Sequence, residues 1–146
     1  MNYLLDTCLI SELAKSKPDK KVVDWVLSEN ETSFYVSVLT FGELHKGIEK
    51  LPESKKKEEL GIWVENELRS RFQNRIIGID MRISILWGKI QCFAEKKGKP
   101  MPAIDSLIAA TGIAHDLTVV TRNVTDMEQS GVKLLNPWLE RGQVHS

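Results

Sequence analysis

The chain has 146 residues, a length at which one domain can bury a core without disulfides or structural metals. Lysine plus arginine and aspartate plus glutamate each number 20. The net charge therefore gives no general attraction to nucleic acid or to an anionic membrane. Cys8 and Cys92 lack the spacing of a zinc site. No segment reaches the roughly 18 apolar residues of a membrane span, and we expect a cytoplasmic protein with no membrane partner.

The first half of the chain alternates strand and helix patterns. Tyr3 to Leu5 is a short apolar strand candidate, and "TCLISEL" after it has helical spacing. A second helix follows "KSKPDK", and the β-rich run "SFYVS" then leads into a helix over "VLTFGELHKGIEKL". From Pro52 to Phe72, apolar residues at steps of three and four predict the second arm of a protruding helical hairpin.

The second half continues this alternation. "RIIGI" is a strand candidate, and the helix after it ends at Gly98. Pro102 opens another helix, and "LTVVT" and "VKLLNP" are the last strand candidates. The pattern predicts a three-layer α/β/α fold with a central, mainly parallel sheet of about five strands. No repeat or linker divides the chain, so we expect residues 1–146 to form a single domain.

Polar residues follow the strand candidates where α/β folds bind their ligands, beyond the carboxyl ends of parallel strands. Asp6 follows the first strand, while Thr121, Asn123 and Asp126 follow "LTVV". Asp105 lies in the first turn of a later helix, which places it near the same edge. These positions allow an acidic cluster to form at one edge of the sheet.

Asp6 and Asp105 also have an ordinary structural explanation. Aspartate is favoured at helix N-caps, so Asp6 fits a cap as well as a functional acid, and Thr7 fits that cap equally. Asp105 fits a first-turn acid that complements the helix dipole. The spacing alone does not choose between these two roles for either residue.

Glu43, Asn123 and Asp126 are harder to assign from the pattern. Glu43 falls away from the apolar face of its helix, beside two lysines, which favours a solvated position. Asn123 and Asp126 are of residue types common in turns. Periodicity therefore places carboxylates where they can gather and leaves open whether they do.

Four blocks of the sequence resemble one family. They are "LLDTCLISEL", "VSVLTFGELHKGIE", "MPAIDSLIAATGIAHDLTVVTRNVTDME" and "VKLLNPW". In this order they resemble the PIN-domain ribonucleases, specifically the VapC/FitB-like toxins of type II toxin–antitoxin systems. The resemblance runs nearly end to end and is specific because four separate blocks keep the family's order. It implies a PIN fold in which acidic residues converge on a metal.

The resemblance assigns site residues one by one. Asp6 in "LLDT" matches the first family carboxylate, Glu43 in "FGEL" the second and Asp105 in "AIDSLIA" the third. At the fourth position many members have aspartate, whereas this chain has Asn123, with Asp126 nearby as a supporting acid. The resemblance thus implies a metal site and catalytic cluster in which either residue can fill the fourth position.

Further residues match supporting positions or differ from the family. Thr121 and Ser11 resemble positions that support the cluster, and each also fits a structural cap. Cys8 stands where the family often has asparagine, a difference that concerns local hydrogen bonding. Because the chain is neutral overall, the RNA backbone needs local cations. The candidates are Lys46, Lys50, Arg122, Lys96, Lys97 and Lys99.

The resemblance implies an endoribonuclease that uses Mg²⁺ or Mn²⁺. Clustered carboxylates raise one another's pKa, which a divalent cation offsets. Such a cation activates water and stabilises charge during phosphodiester hydrolysis. The resemblance also implies a cognate antitoxin whose helix docks on the hydrophobic face of the hairpin, residues 38–72. A homodimer, and a larger assembly on operator DNA through the antitoxin, are expected as well.

Two other classes of protein share features of this sequence. An acid after the first strand also occurs in aspartyl-phosphate phosphatases and receiver domains, but Cys8 stands where the second aspartate of a DxD pair belongs. No acidic pair precedes the first helix either, which disfavours this class. The second alternative is a catalytically weak PIN-like module that binds RNA or a partner, which Asn123 in place of a carboxylate keeps open.

Overall fold

The computed structural model describes residues 1–139 together with the backbone of Val144–His145. The strands are β1 (Tyr3–Leu5), β2 (Phe34–Ser37), β3 (Ile76–Ile77), β4 (Thr118–Val120), β5 (Leu134–Leu135) and β6 (Val144–His145). They form one sheet in the order β3-β2-β1-β4-β5-β6. Neighbours from β3 to β5 are parallel, and β6 pairs antiparallel with β5. The predicted parallel sheet of about five strands is confirmed, and β6 is added at its edge.

Strand β1 is central, and its carboxyl end adjoins that of β4. Leu5 pairs with Val120, and the Asp6 N–H donates to the Val120 carbonyl over 3.0 Å. On the other side, Tyr3 pairs with Phe34 of β2. Because these strands are parallel, the residues that follow β1, β2 and β4 all leave the sheet at one edge.

Helices cover both faces of the sheet. They are α1 (Thr7–Leu13), α2 (Lys20–Ser28), α3 (Val38–Glu49), α4 (Lys55–Ile62), α5 (Arg69–Arg71), α6 (Met81–Lys96), α7 (Ala103–Ala114) and α8 (Val124–Met127). A π-helical stretch, Trp63–Leu68, joins α4 to α5. Helix α3 packs against α4 and the π-helical stretch, as predicted for a helical hairpin. Short 3-10 turns occur at Glu31–Ser33 and Glu128–Ser130.

Alternate residues of β1 face opposite sides of the sheet and join two separate hydrophobic clusters. Tyr3 and Leu5 pack with α1, α2 and the π-helical stretch, whereas Leu4 packs with α6 and α7. In the first cluster, the rings of Tyr3 and Trp25 meet edge to face with centroids 5.0 Å apart, and Phe34 lies against both. The sheet is therefore the middle of three layers, as predicted.

Side chains at the helix ends explain where several helices begin and stop. Ser37 accepts the Leu39 N–H at the start of α3, and Asp80 accepts the Ile83 N–H at the start of α6. Gly98, with a φ of +71°, follows the end of α6, which confirms the predicted glycine stop. Within the described part of the chain, no helix is long and apolar enough to cross a bilayer.

Candidate metal centre

Asp6 lies at the carboxyl end of β1 and is only 4 % exposed. Its Oδ1 accepts the Thr7 N–H over 2.9 Å, which caps α1. Its Oδ2 accepts the Thr121 hydroxyl over 2.7 Å and lies 3.7 Å from the Cys8 thiol. Burial raises the pKa of Asp6, and the hydrogen bonds from Thr121 and Thr7 oppose that rise. One oxygen of the Asp6 carboxylate therefore caps α1, and the other contacts Thr121, the residue that follows β4.

Glu43 is half-buried beside α1, so the solvated position favoured by its spacing is wrong. Its Oε1 accepts the Thr7 hydroxyl over 2.6 Å, and Thr7 Oγ1 lies 3.2 Å from the hydroxyl of buried Thr40. Helix α1 packs against α3 here. Helical periodicity indicates which face of α3 meets the apolar core, but it cannot reveal a polar contact with another helix.

Asp105 is half-buried in the first turn of α7. Its pKa is raised from 3.8 to about 6, first by burial and then by the negative charges of Asp6, Asp126 and Glu43. Among the residues that the structure describes, no hydrogen bond opposes this rise in its pKa. Asp105 therefore does not serve only to complement the helix dipole, because the charges of three other carboxylates raise its pKa. We call Asp6, Glu43, Asp105 and Asp126 the acidic edge.

Asn123 and Asp126 reach this region in different ways. The Asn123 backbone N–H donates to Thr121 Oγ1 over 2.9 Å, while its side chain is exposed and does not cap α8. Asp126 is exposed in the first turn of α8, and its charge raises the pKa of Asp105. The fold therefore brings the backbone of Asn123 and the carboxylate of Asp126 to the acidic edge.

Cys8 links the two loops that carry the site, whereas Ser11 takes no part in it. Cys8 Sγ accepts the Arg122 N–H over 3.4 Å and lies 3.6 Å from Thr121 Oγ1. Burial, followed by the charge of Asp6, raises the pKa of the Cys8 thiol to about 11, so it stays protonated. Ser11 is exposed on α1, away from this network.

The acidic edge has the donor chemistry of a site for a hard divalent cation. Its donors are carboxylate oxygens, which Mg²⁺ and Mn²⁺ prefer. A cation would relieve the repulsion that raises the pKa of Asp105. Among the described residues, no three acidic, histidine or cysteine side chains are close enough to enclose an ion directly. Mg²⁺ commonly keeps several waters and uses one or two carboxylates, so the donors fit a hydrated ion.

The predicted phosphate-binding cations lie in separate places. Lys46 and Lys50 are exposed on α3, three and seven residues beyond Glu43 and so on the same side of the helix. The Arg122 guanidinium stacks 4.8 Å from the ring centre of Trp138. The other candidates lie at or just after the end of α6, namely Lys96, Lys97 and Lys99. The α3 lysines are thus connected to the acidic edge by one continuous helix.

An apolar groove opens between α1, α2 and the π-helical stretch. Leu27 at this groove is 78 % exposed. The Glu31–Arg71 ion pair, 2.6 Å long, borders it. The predicted hydrophobic face of the hairpin is divided, because Phe41 and Leu44 of α3 pack on the core while the second arm lines the groove. The apolar lining includes Leu13, Val23, Val26, Leu27, Trp63 and Phe72.

Known proteins share this sequence and fold. The family model of the PIN domain matches residues 3–128, which include the whole acidic edge. The toxin FitB of Neisseria gonorrhoeae is 36 % identical over 135 residues, covering 92 % of this chain and 97 % of that protein. The VapC ribonuclease Y4jK of Sinorhizobium fredii is 32 % identical over 135 residues, covering 92 % and 96 % respectively. A solved structure of FitAB bound to an IR36 DNA fragment matches with a TM-score of 0.90 at 33 % identity, covering 96 % of this chain and 98 % of that chain.

Proposed function

The chain belongs to the PIN-domain family and, within it, to the VapC and FitB toxins, and from this premise we propose that it is an Mg²⁺- or Mn²⁺-dependent endoribonuclease. The observation that carries the proposal is that Thr7 joins Asp6 and Glu43 through hydrogen bonds of 2.9 and 2.6 Å at the edge of the sheet, while burial and the charges of Asp6, Asp126 and Glu43 raise the pKa of Asp105 to about 6. The relatives named as a ribonuclease and a toxin support the same activity. We take the whole chain to act as one PIN domain in the cytoplasm.

We assign Asp6, Glu43 and Asp105 as the residues that would hold a hydrated cation, with its waters bridging to the carboxylates that do not contact the ion directly. Asp126, or Asn123 through a water, would complete the set. When bound, the cation would lower the pKa of a water and offset charge on the attacked phosphate. The protein's part is to fix the ligands beforehand, as the Thr121 hydroxyl does for Asp6 over 2.7 Å.

The RNA strand is proposed to reach the acidic edge along α3. Lys46 and Lys50 are exposed there, and their ammonium groups can each neutralise a backbone phosphate. Such contacts fix the position of a strand without reading its sequence. The proposal therefore predicts RNA affinity that falls as the salt concentration rises.

The apolar groove is proposed to receive an amphipathic helix of the cognate antitoxin. Laying an apolar helix face into a hydrophobic groove is a common recognition mode. The exposed side chain of Leu27 would be covered by such a helix. The likeness to FitAB bound to DNA supports an antitoxin partner that carries the toxin, expected to be a homodimer, to operator DNA.

The groove is tested by Leu27→Asp, with Phe93→Asp as the control. Phe93 is 48 % exposed on α6, in the opposite helical layer. We expect Leu27→Asp to weaken antitoxin binding about thirtyfold, the effect of losing one central anchor. Calorimetry measures both affinities. Equal affinities for the two variants would place the antitoxin elsewhere.

The activity is tested by cleavage of labelled RNA with purified, antitoxin-free protein. Cutting is expected with Mg²⁺ or Mn²⁺, none with EDTA, and a loss of at least about a hundredfold in Asp6→Asn and Asp105→Asn. Asp116→Asn is the matched control. Asp116 is exposed, and its backbone has a left-handed conformation that asparagine tolerates. Cutting that survives EDTA and both substitutions would contradict the proposal. RNA that is bound but never cut would favour the weak binding module.

A further inference from the structure

Thr7 contacts two members of the acidic edge at the same time. Its backbone N–H donates to Asp6 Oδ1 over 2.9 Å, and its hydroxyl donates to Glu43 Oε1 over 2.6 Å. We propose that Thr7 is a positioning residue that holds Glu43 in the orientation needed to bind the cation. This inference rests on the proposed metal-dependent function and adds to it a role for a residue outside the set of ligands.

The hydroxyl of Thr7 is available for this role because helix capping does not use it. The Asp6 side chain caps α1 by accepting the backbone N–H of Thr7, so this cap does not involve the Thr7 hydroxyl. A threonine inside a helix often donates to the carbonyl four residues earlier. For Thr7 that residue is Tyr3, which lies in β1 instead of a helix. The proton is therefore not used within α1, and the Glu43 carboxylate at 2.6 Å is a nearer and stronger acceptor for it than Thr40 Oγ1 at 3.2 Å.

The hydroxyl matters because Glu43 and Asp6 come from different elements. Asp6 ends β1, whereas Glu43 projects from α3, and their negative charges repel each other. Ordering a free glutamate side chain costs conformational entropy. Glu43 is only half-buried, so without its donor it can turn away toward solvent. A cation would then have to order this ligand itself and would bind more weakly.

Buried Thr40 fixes the Thr7 hydroxyl from the other side. Thr40 is fully buried on α3, one helical turn before Glu43, and its Oγ1 lies 3.2 Å from Thr7 Oγ1. The Thr7 hydroxyl therefore has a second contact, with a fully buried side chain, besides its bond to the half-buried Glu43 carboxylate. A donor that is itself held by a buried neighbour is what a positioning contact requires.

The test is Mn²⁺ titration by calorimetry for Thr7→Val, Thr7→Ala and Thr7→Ser. Valine keeps the shape and loses the hydroxyl, alanine also removes the extra methyl, and serine keeps the hydroxyl. We expect Mn²⁺ affinity to fall roughly tenfold to a hundredfold in the first two variants and to be largely restored in Thr7→Ser. Ser84→Ala, which removes an exposed hydroxyl from α6 on the other face of the sheet, should bind Mn²⁺ like the wild type.

A double-mutant cycle with Glu43→Gln shows whether Thr7 acts through Glu43. In that background, Thr7→Val should add little further loss of Mn²⁺ affinity. Wild-type affinity in folded Thr7→Val and Thr7→Ala would overturn this inference alone, as would an undiminished loss in the Glu43→Gln background. A wild-type chain that bound no Mn²⁺ would overturn the proposed metal site as well.

Discussion

The two sides of the acidic edge are built differently. On the β1 side, Asp6 and Glu43 accept threonine hydroxyls at 2.7 and 2.6 Å. On the α7 side, Asp105 accepts no hydrogen bond from the described part of the chain that would lower its pKa, and burial and like charge raise that pKa to about 6. One half of the edge is thus oriented by the protein. The other half has no such donor among the described residues, and we expect a cation to relieve the repulsion that acts in both halves.

The largest expected effect on stability lies on the β1 side, where Thr121→Val removes the hydroxyl that Asp6 accepts. Both residues are buried, and the Asn123 N–H loses its acceptor as well. We expect the free energy of unfolding to fall by about 1–3 kcal/mol, as when a buried group loses its partner. Urea denaturation measures this, with Thr125→Val on exposed α8 as the control. Equal stability of the two variants would mean that Asp6 is not held in this way.

A smaller effect distinguishes the candidates for the fourth position on the α7 side. Asp126→Asn removes a charge that acts on Asp105, so Mn²⁺ affinity should fall by about tenfold. Asn123→Ala should leave the affinity unchanged, because the contact made by Asn123 uses its backbone N–H. Calorimetry compares the two variants. The opposite order of affinities would assign the fourth position to the Asn123 side chain.

The smallest predicted effect is the pH dependence that Asp105 gives to the metal-free protein. Its pKa is higher in the folded state than in the unfolded state, so the folded state binds the extra proton. Stability is therefore lost as the pH rises from about 4 to about 6 and stays lost above that range. Because Asp105 is half-exposed, solvent screening limits this loss to the order of 1 kcal/mol.

The Asp105→Asn variant isolates this contribution from that of other groups. Its urea denaturation at about pH 4 and about pH 7 should show a smaller loss of stability than the wild type does. An identical pH dependence in both proteins would mean that burial and the charge of its neighbours do not raise the pKa of Asp105.

The sequence predicted the layers and the edge because those depend on local patterns. The short apolar runs at Tyr3–Leu5 and Thr118–Val120 became neighbouring parallel strands, and Asp6 follows directly from the end of β1. The "RIIGI" candidate was longer than the strand it formed, since only Ile76–Ile77 pairs with β2. Alternation along the chain therefore predicted the edge of the sheet at which the acids could gather, and the family motif assigned the residues.

The contacts that orient the acids could not be predicted from the spacing of residues along the sequence. The bond from Thr7 to Glu43 depends on how α1 packs on α3, and helical spacing put Glu43 in solvent. The family motif assigned Glu43 to the site despite that spacing. The only hint of this contact in the sequence was that the hydroxyl residue Thr7 directly follows Asp6, the acid at the end of β1. The motif placed Asn123 at the fourth position of the site. In the structure it is the charge of Asp126 that raises the pKa of Asp105.

The most direct measurement is the titration of the Asp105 carboxyl by NMR in the metal-free protein and at saturating Mg²⁺. We expect the pKa of the Asp105 carboxyl to be about 6 without the cation and much lower with it. Titration at its ordinary value of 3.8 without metal would contradict the gathering of carboxylates. A pKa of about 6 that Mg²⁺ does not move would contradict the metal centre itself.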